Sequence, residues 1–154
     1  MKANEIERRL HFFSKACRQH GIKTTHQRTE IYRELASTEK HPDAETIYVR
    51  VRRRIPAISL DTVYRTLRQL EEREVISRLG VFGEKMRFDA NTDPHHHFIC
   101  TRCGFVGDLY NGELTRVPAP RDVEGMGTVH SVHIELRGVC NACQKKRFNR
   151  KEGV

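Results

Sequence analysis

The chain has 154 residues, 37% hydrophobic and 31% charged, with a formal net charge of +8. No apolar run approaches the ~18 residues a membrane-spanning helix needs, and the opening MKANEIERRL lacks the apolar centre of a secretory signal. The expected setting is therefore the cytoplasm, with no membrane partner. Residues 1–90 hold 19 Lys/Arg against 13 Asp/Glu, the remainder 9 against 7, so the basic excess directs the first half toward a polyanion such as nucleic acid.

In chain order, the first expected element is a helix over 3–20, with Ile6, Leu10, Phe13 and Cys17 three or four apart and Gly21 as its stop. Thr24 or Thr25 caps a second helix carrying Ile31 and Leu35. His41-Pro42 makes a break, and Asp43 caps a third helix with Ile47, Val51 and Ile55. Pro56 closes it, because proline disfavours helix in the residue before it. Ser59 caps a fourth helix from Leu60 to about Arg73, with Val63, Leu67 and Leu70 facing inward. The segment VISRLGVFGEKMRFDA then alternates around Gly83 as a β-hairpin.

Helices followed by a two-stranded hairpin describe a winged helix-turn-helix, in which the helix before the wing enters the major groove. Its outer face carries Thr62, Tyr64, Arg65 and Arg68, side chains suited to base edges or phosphates. The cluster Arg50, Arg52, Arg53, Arg54 lies upstream, placed to grip the backbone of double-stranded DNA. The competing reading is a solvated helical bundle whose arginines pair with Glu71, Glu72 and Glu74. The order of elements favours DNA.

Five cysteines stand at 17, 100, 103, 140 and 143. Cys17, alone on an apolar helix face, reads as a small core residue. Cys100-Thr-Arg-Cys103 and Cys140-Asn-Ala-Cys143, with 36 residues between them, each form a turn that points two thiolates at one ion. Together they complete a tetrahedral set that suits structural zinc. A redox dithiol is normally a single pair within a βαβ unit, a pattern missing here, and an iron–sulfur cluster is the remaining competitor. A second ligand set precedes the first turn. If 95–100 is a strand, His95 and His97 face one side and His96 the other. With Asp89 and Asp108 they form a mixed nitrogen and oxygen set that suits Fe(II) or Mn(II). His20, His26, His130 and His133 are expected to carry no site role.

These residues resemble one family closely. The combination of Thr25, Gln27 and Arg28 (T-x-Q-R), His41-Pro42, S-x-x-T-V-Y-R-x-L from Ser59 to Leu67, Arg87 to Asp89, H-x-H-x-x-C-x-x-C-G from His95 to Gly104 and a final C-x-x-C is similar to the ferric uptake regulator superfamily. Within it the peroxide-sensing branch is the nearest match. That resemblance implies an α+β chain with a winged-helix DNA-binding domain over 1–88 and an α/β dimerisation and metal-sensing domain over 89–154. It implies a homodimer, structural zinc on Cys100, Cys103, Cys140 and Cys143, and a regulatory Fe or Mn site on His41, Asp89, His95, His97 and Asp108. Three departures from the family pattern stand out: Asp61 at the start of the recognition helix, Pro118 and Pro120 within a segment that relatives form as a longer helix, and Pro94 and Thr115 where many iron regulators place further ligands.

The expected function is a metal-dependent repressor, not an enzyme, that leaves its operator when peroxide oxidises a ligand histidine. An iron- or zinc-uptake regulator of the same superfamily is the alternative. A non-haem metalloenzyme is the rival from another class, but no nucleophile elbow or phosphate loop accompanies the ligands. A zinc-stabilised protein-interaction module is a third reading.

Overall fold

Thr25, Asp43 and Ser59 each accept a hydrogen bond from the backbone amide three residues on, at 3.3 Å from Arg28, 2.7 Å from Thr46 and 3.1 Å from Thr62. Each satisfies an N–H that a helix start leaves without an intrahelical acceptor, and so fixes where a helix begins. In this computed structural model, which describes residues 3–82, 85–123, 125–129 and 132–148, the first four helices are α1 (Ala3–Gln19), α2 (His26–Ala36), α3 (Ala44–Arg52) and α4 (Leu60–Glu71). Strands β1 (Ser77–Phe82) and β2 (Lys85–Asp89) follow as an antiparallel hairpin pairing Ser77 with Asp89 and Leu79 with Arg87. The expected turn residue Gly83 lies outside the described residues. This is the winged helix-turn-helix that the sequence predicts. Among the described residues, no helix is long and apolar enough to cross a membrane.

The helix ends are less regular than the starts. Gly21, at φ +64°, closes α1: its own N–H donates to Arg18 O (3.3 Å) and that of Ile22 to Cys17 O (2.8 Å). That pair of bonds is a Schellman cap, which needs the left-handed conformation glycine adopts without strain. The third helix stops at Arg52, so Ile55 packs on the core from the following turn rather than from the helix. Cys17 is buried with Phe13, Ile31, Tyr32, Leu35, Ile47, Val51, Val63, Leu67 and Leu70 in one cluster, as its place on the apolar face of α1 predicts. Phe13 stacks on Tyr32 with ring centroids 4.4 Å apart.

The chain divides into two compact units, residues 1–92 and 93–154. The second holds β3 (His96–Cys100), β4 (Val106–Leu109), the one-turn helix α5 (Gly112–Thr115), a 3₁₀ turn (Arg121–Val123), β5 (Glu135–Gly138) and α6 (Asn141–Phe148). Among the described residues its sheet has the order β4-β3-β5, with β3 antiparallel to β4 and parallel to β5. The central strand is buried on both faces, at His96, His97, Ile99 and Cys100. Helix α5 spans only four residues and ends before Pro118.

Candidate functional site

Helix α4, the expected recognition helix, presents two faces. Val63, Thr66, Leu67 and Leu70 are buried, while Tyr64, Arg65 and Arg68 are exposed and Thr62 is half-buried at the edge. The outer face borders a groove whose lining includes Thr25, Gln27, Arg28, Thr62, Arg65 and Arg68, so the T-x-Q-R motif and α4 meet on one surface. Arg28 locks that meeting: one guanidinium nitrogen donates to Gln69 Oε1 at 2.7 Å and another to the Lys23 carbonyl at 2.7 Å. Arg68 donates to Glu72 at 2.9 Å, and the Tyr64 hydroxyl donates to Glu45 at 2.8 Å.

The arginine run after α3 is partly engaged within the protein. Arg54 donates to Glu30 at 2.6 Å and to Glu34 at 2.9 Å, and Arg50 reaches Glu34 at 3.4 Å. Arg52 donates to the Tyr48 hydroxyl at 2.9 Å, and Arg53 is exposed.

Two parts of the expected regulatory ligand set are each assembled within one unit. In the first unit His41 and Asp89 are both buried, with His41 Nε2 3.5 Å from Asp89 Oδ2. The loop bearing His41 is hooked onto β2. Pro42 O accepts from Phe88 N at 3.2 Å, Asp43 bridges Arg87, and the Arg87 side chain reaches the His41 carbonyl at 3.4 Å. His41 itself has φ +46° and precedes a proline, a conformation unusual for a non-glycine residue and more so before proline. The surrounding hooks hold it there.

In the second unit β3 starts at His96, one residue later than the expected strand over 95–100, and His95 just ahead of it lies with His97 while His96 turns to the other side. His95 Nε2 and His97 Nε2 are 2.9 Å apart. Asp108 sits opposite His97 across the antiparallel pair, its Oδ1 3.8 Å from His97 Nε2 and 4.0 Å from His95 Nε2. The Asp93 carbonyl lies 2.7 Å from His95 Nδ1. A carbonyl only accepts, so Nδ1 donates there, and Nε2 is the ring nitrogen left to face a cation. Atoms sharing one ion at about 2.1 Å stand roughly 3–4 Å apart, and this trio meets that spacing while buried from water. Tyr110, which sequence reasoning missed, stacks on His95 at 5.7 Å between ring centroids and directs its hydroxyl at Asp108 Oδ2 at 3.4 Å. The signal was present in the D-x-Y spacing of Asp108 and Tyr110. His96 turns away: its Nδ1 accepts from Ile134 N at 3.2 Å, and Thr115 Oγ1 lies 3.4 Å from its Nε2.

The four paired cysteines converge. One sulfur from each of Cys100, Cys103, Cys140 and Cys143 lies within 4.8 Å of the others, and Cys103 Sγ is 3.7 Å from Cys140 Sγ. Four thiolates at about 2.3 Å from zinc are spaced just so. Cys140 N donates to Cys100 Sγ at 3.3 Å. That amide, with those of Cys103 and Arg102, lowers the Cys100 thiol to about 6 and favours its thiolate. Cys143 is pushed up to about 12 by hydrogen bonding to the Cys103 thiol and by burial. His20, His26 and His133 are exposed and belong to neither set. His130 lies outside the described residues.

Comparison with known proteins agrees with this architecture. The model of the ferric uptake regulator family matches residues 19–137. A peroxide-responsive repressor PerR of Staphylococcus aureus (strain Mu50 / ATCC 700699) is 34% identical over 148 residues, spanning 95% of this chain and 99% of that protein. Among solved structures, the Helicobacter pylori ferric uptake regulator Fur superposes with a TM-score of 0.70 at 26% identity, over 90% of this chain and 93% of its own. The Campylobacter jejuni peroxide stress regulator superposes at 0.65 and 26% identity, over 84% of this chain and 97% of its own. The chain belongs to the ferric uptake regulator family of metal-responsive regulators.

Proposed function

We propose that the protein is a repressor that binds operator DNA as a homodimer when Fe(II) or Mn(II) is bound, and that peroxide releases it. The observation that carries this reading is the pairing of two features. One is a helix with an exposed Thr62, Tyr64, Arg65, Arg68 face ahead of a wing. The other is a buried imidazole and carboxylate set, which suits these cations better than thiolates do. On this reading residues 1–88 form the DNA-binding domain and 89–154 the dimerisation and sensing domain. His41, Asp89, His95, His97 and Asp108 together hold the regulatory ion, and Cys100, Cys103, Cys140 and Cys143 hold structural zinc.

An ion shared by ligands from both domains restricts the angle between them. In a dimer that angle sets the separation of two recognition helices, which must match half-sites about 34 Å apart. A preference of a few kcal/mol for the DNA-competent arrangement suffices to turn binding on. Fe(II) held by these residues would supply the redox chemistry that opens the peroxide O–O bond, and would end at its starting oxidation state. In net terms the imidazole of His41 or His95 would lose two electrons to one peroxide: a ring C–H would become a carbonyl carbon, its hydrogen would move to ring nitrogen, and the second peroxide oxygen would leave as water. The product ring is a poorer ligand. The similarity to a peroxide-responsive repressor over nearly the full chain supports this choice.

The test is retardation of a palindromic, A·T-rich duplex by the full chain loaded with Fe(II) or with Mn(II), before and after brief peroxide. Expected are metal-dependent binding in both cases, peroxide release of the Fe(II) form alone, and a +16 dalton shift on the His41 or His95 peptide. Metal-dependent binding that survives peroxide in the Fe(II) form would identify an uptake regulator instead. Absence of binding under every condition would overturn the repressor reading. Release with unmodified histidines and oxidised cysteines would place the chemistry on the thiolates.

A further inference from the structure

The first turn of α4 carries an acid where a helix entering DNA meets a dense field of phosphates. Asp61 is not needed as the cap, since Ser59 already accepts from the Thr62 amide at 3.1 Å. Its side chain keeps 75% of its exposure, and that of Arg65, one turn on, keeps 80%. The two heads lie together, Arg65 Nη1 3.7 Å from Asp61 Oδ2, on a surface that also carries Tyr64, Arg68 and Arg78. Residues four apart on a helix share a face, and the N-terminal residues of a recognition helix reach base edges.

We propose that Asp61 and Arg65 act as one reading pair that selects a C·G base pair in each operator half-site. The proposal rests on the reading of α4 as the recognition helix. A carboxylate accepts only. Phosphates therefore repel it, and the partners the major groove offers are the amino donors of cytosine and adenine. An arginine donates only, and its two-pronged match is guanine O6 and N7. A C·G pair displays the cytosine donor and both guanine acceptors side by side on one edge. An acid and an arginine held in contact repeat that pattern in complement. An A·T pair offers the acid a donor but replaces the guanine acceptors, and presents the thymine methyl to a charged group. The acid thus weakens binding everywhere except at the base pair that satisfies it, and Arg65 is kept from spending its charge on a phosphate. An acid in the first turn of this helix gives it discrimination rather than affinity.

The experiment is selection of binding sites from a randomised half-site library by the full-length, zinc- and Mn(II)-loaded chain, repeated with Asp61→Ala, Asp61→Asn and Arg65→Ala. Thermal melts of each variant show that the helix is intact. The parent is expected to retain a C·G pair at one position of each half-site. Asp61→Ala should bind duplexes that lack the C·G pair more tightly and the C·G duplex no more tightly than the parent does, and so lose about ten-fold or more of the discrimination at that position, in the range of one bidentate base contact. Asp61→Asn should shift the preference toward A·T, since an amide matches adenine N6 and N7. Arg65→Ala should relax the same position as Asp61→Ala does, because the two read one pair. Unchanged selection by Asp61→Ala overturns the proposal while leaving the repressor reading standing. So does uniform tightening with no change in preference, which would make Asp61 a brake on affinity alone. Failure of the parent to select any sequence overturns both.

Discussion

The Tyr64 hydroxyl donates to the Glu45 carboxylate at 2.8 Å, tying the outer face of α4 to the first turn of α3. Lys85 on the wing sits 3.8 Å from Glu45 and 3.4 Å from the Asp43 cap, so α4, α3 and wing share one polar network. The carboxylate holds the Tyr64 hydroxyl protonated above its ordinary range, leaving it a donor at every working pH. Glu45 is also an anion beside a surface proposed to meet phosphates. Glu45→Gln should keep an acceptor for Tyr64 and remove the repulsion, raising affinity for any duplex several-fold at low salt, with the gain fading as salt screens it. Fluorescence anisotropy across a salt series measures this. Equal affinity at all salt concentrations would show that Glu45 stands off the DNA face.

Removing one zinc thiolate should be the most damaging substitution in the second unit. Cys100 is buried at the end of the central strand and accepts from Cys140 N. A three-coordinate ion forfeits much of a binding free energy of order 10 kcal/mol that is also folding free energy. Cys100→Ser should therefore lose its zinc and the folded second unit together, read by elemental analysis and by protease resistance of residues 93–154. A zinc-bearing, protease-resistant variant would sink the assignment.

Tyr32 offers a stability test of opposite sign. Its ring stacks on Phe13 in the core, and its hydroxyl is buried with no hydrogen-bond partner among the described residues. Burial pushes its ionisation well above the usual tyrosine range, which leaves a neutral but unsatisfied O–H. An unpaired buried polar group costs about 1–3 kcal/mol, so Tyr32→Phe should hold or raise stability by about 1 kcal/mol, a rise of a few degrees in Tm. Phe13→Ala, which opens a cavity beside it, should cost about 3–5 kcal/mol. A clear loss of stability in Tyr32→Phe would reveal a partner for the hydroxyl.

Helix starts were legible because each rests on one side chain with a local job: Thr25, Asp43 and Ser59 cap three residues ahead. Ends depend on backbone conformation, and the sequence shows that only where glycine marks it. Gly21 marks the end of α1. The end of α4 carries no such mark, and the sequence predicts a helix to about Arg73, whereas it stops at Glu71. There Val75 N donates to Leu70 O at 2.9 Å and Glu74 takes φ +56°, the same cap built on a residue that dislikes it. Glu74→Gly should relieve roughly 1 kcal/mol of strain, offset in part by the added freedom of the unfolded chain. A denaturant midpoint that falls would contradict the cap. The convergence of the four paired cysteines and of the H-x-H pair was legible from spacing. His41 was not, since nothing in a lone His-Pro indicates the β2 hooks that hold it 3.5 Å from Asp89.

Tyr110 gives the sharpest test of the ligand set in the second unit. It touches two proposed ligands, stacking on His95 and directing its hydroxyl to Asp108 Oδ2, while remaining exposed itself. Groups that orient metal ligands are commonly worth about 10–100-fold in affinity. Tyr110→Ala removes both contacts and should weaken Mn(II) binding by about that factor. Tyr110→Phe keeps the stack and loses only the hydroxyl, so it should fall between Tyr110→Ala and the parent. The zinc content should stay constant, because the cysteine set lies at the other end of β3. Titration calorimetry with Mn(II) separates these effects from any change in fold. Asp108→Ala serves as the reference for losing a ligand outright, and should exceed either tyrosine change. If both Tyr110 variants bind Mn(II) like the parent while Asp108→Ala does not, the tyrosine is a surface residue that merely lies over the site. If all three bind equally, the cation is not held by Asp108.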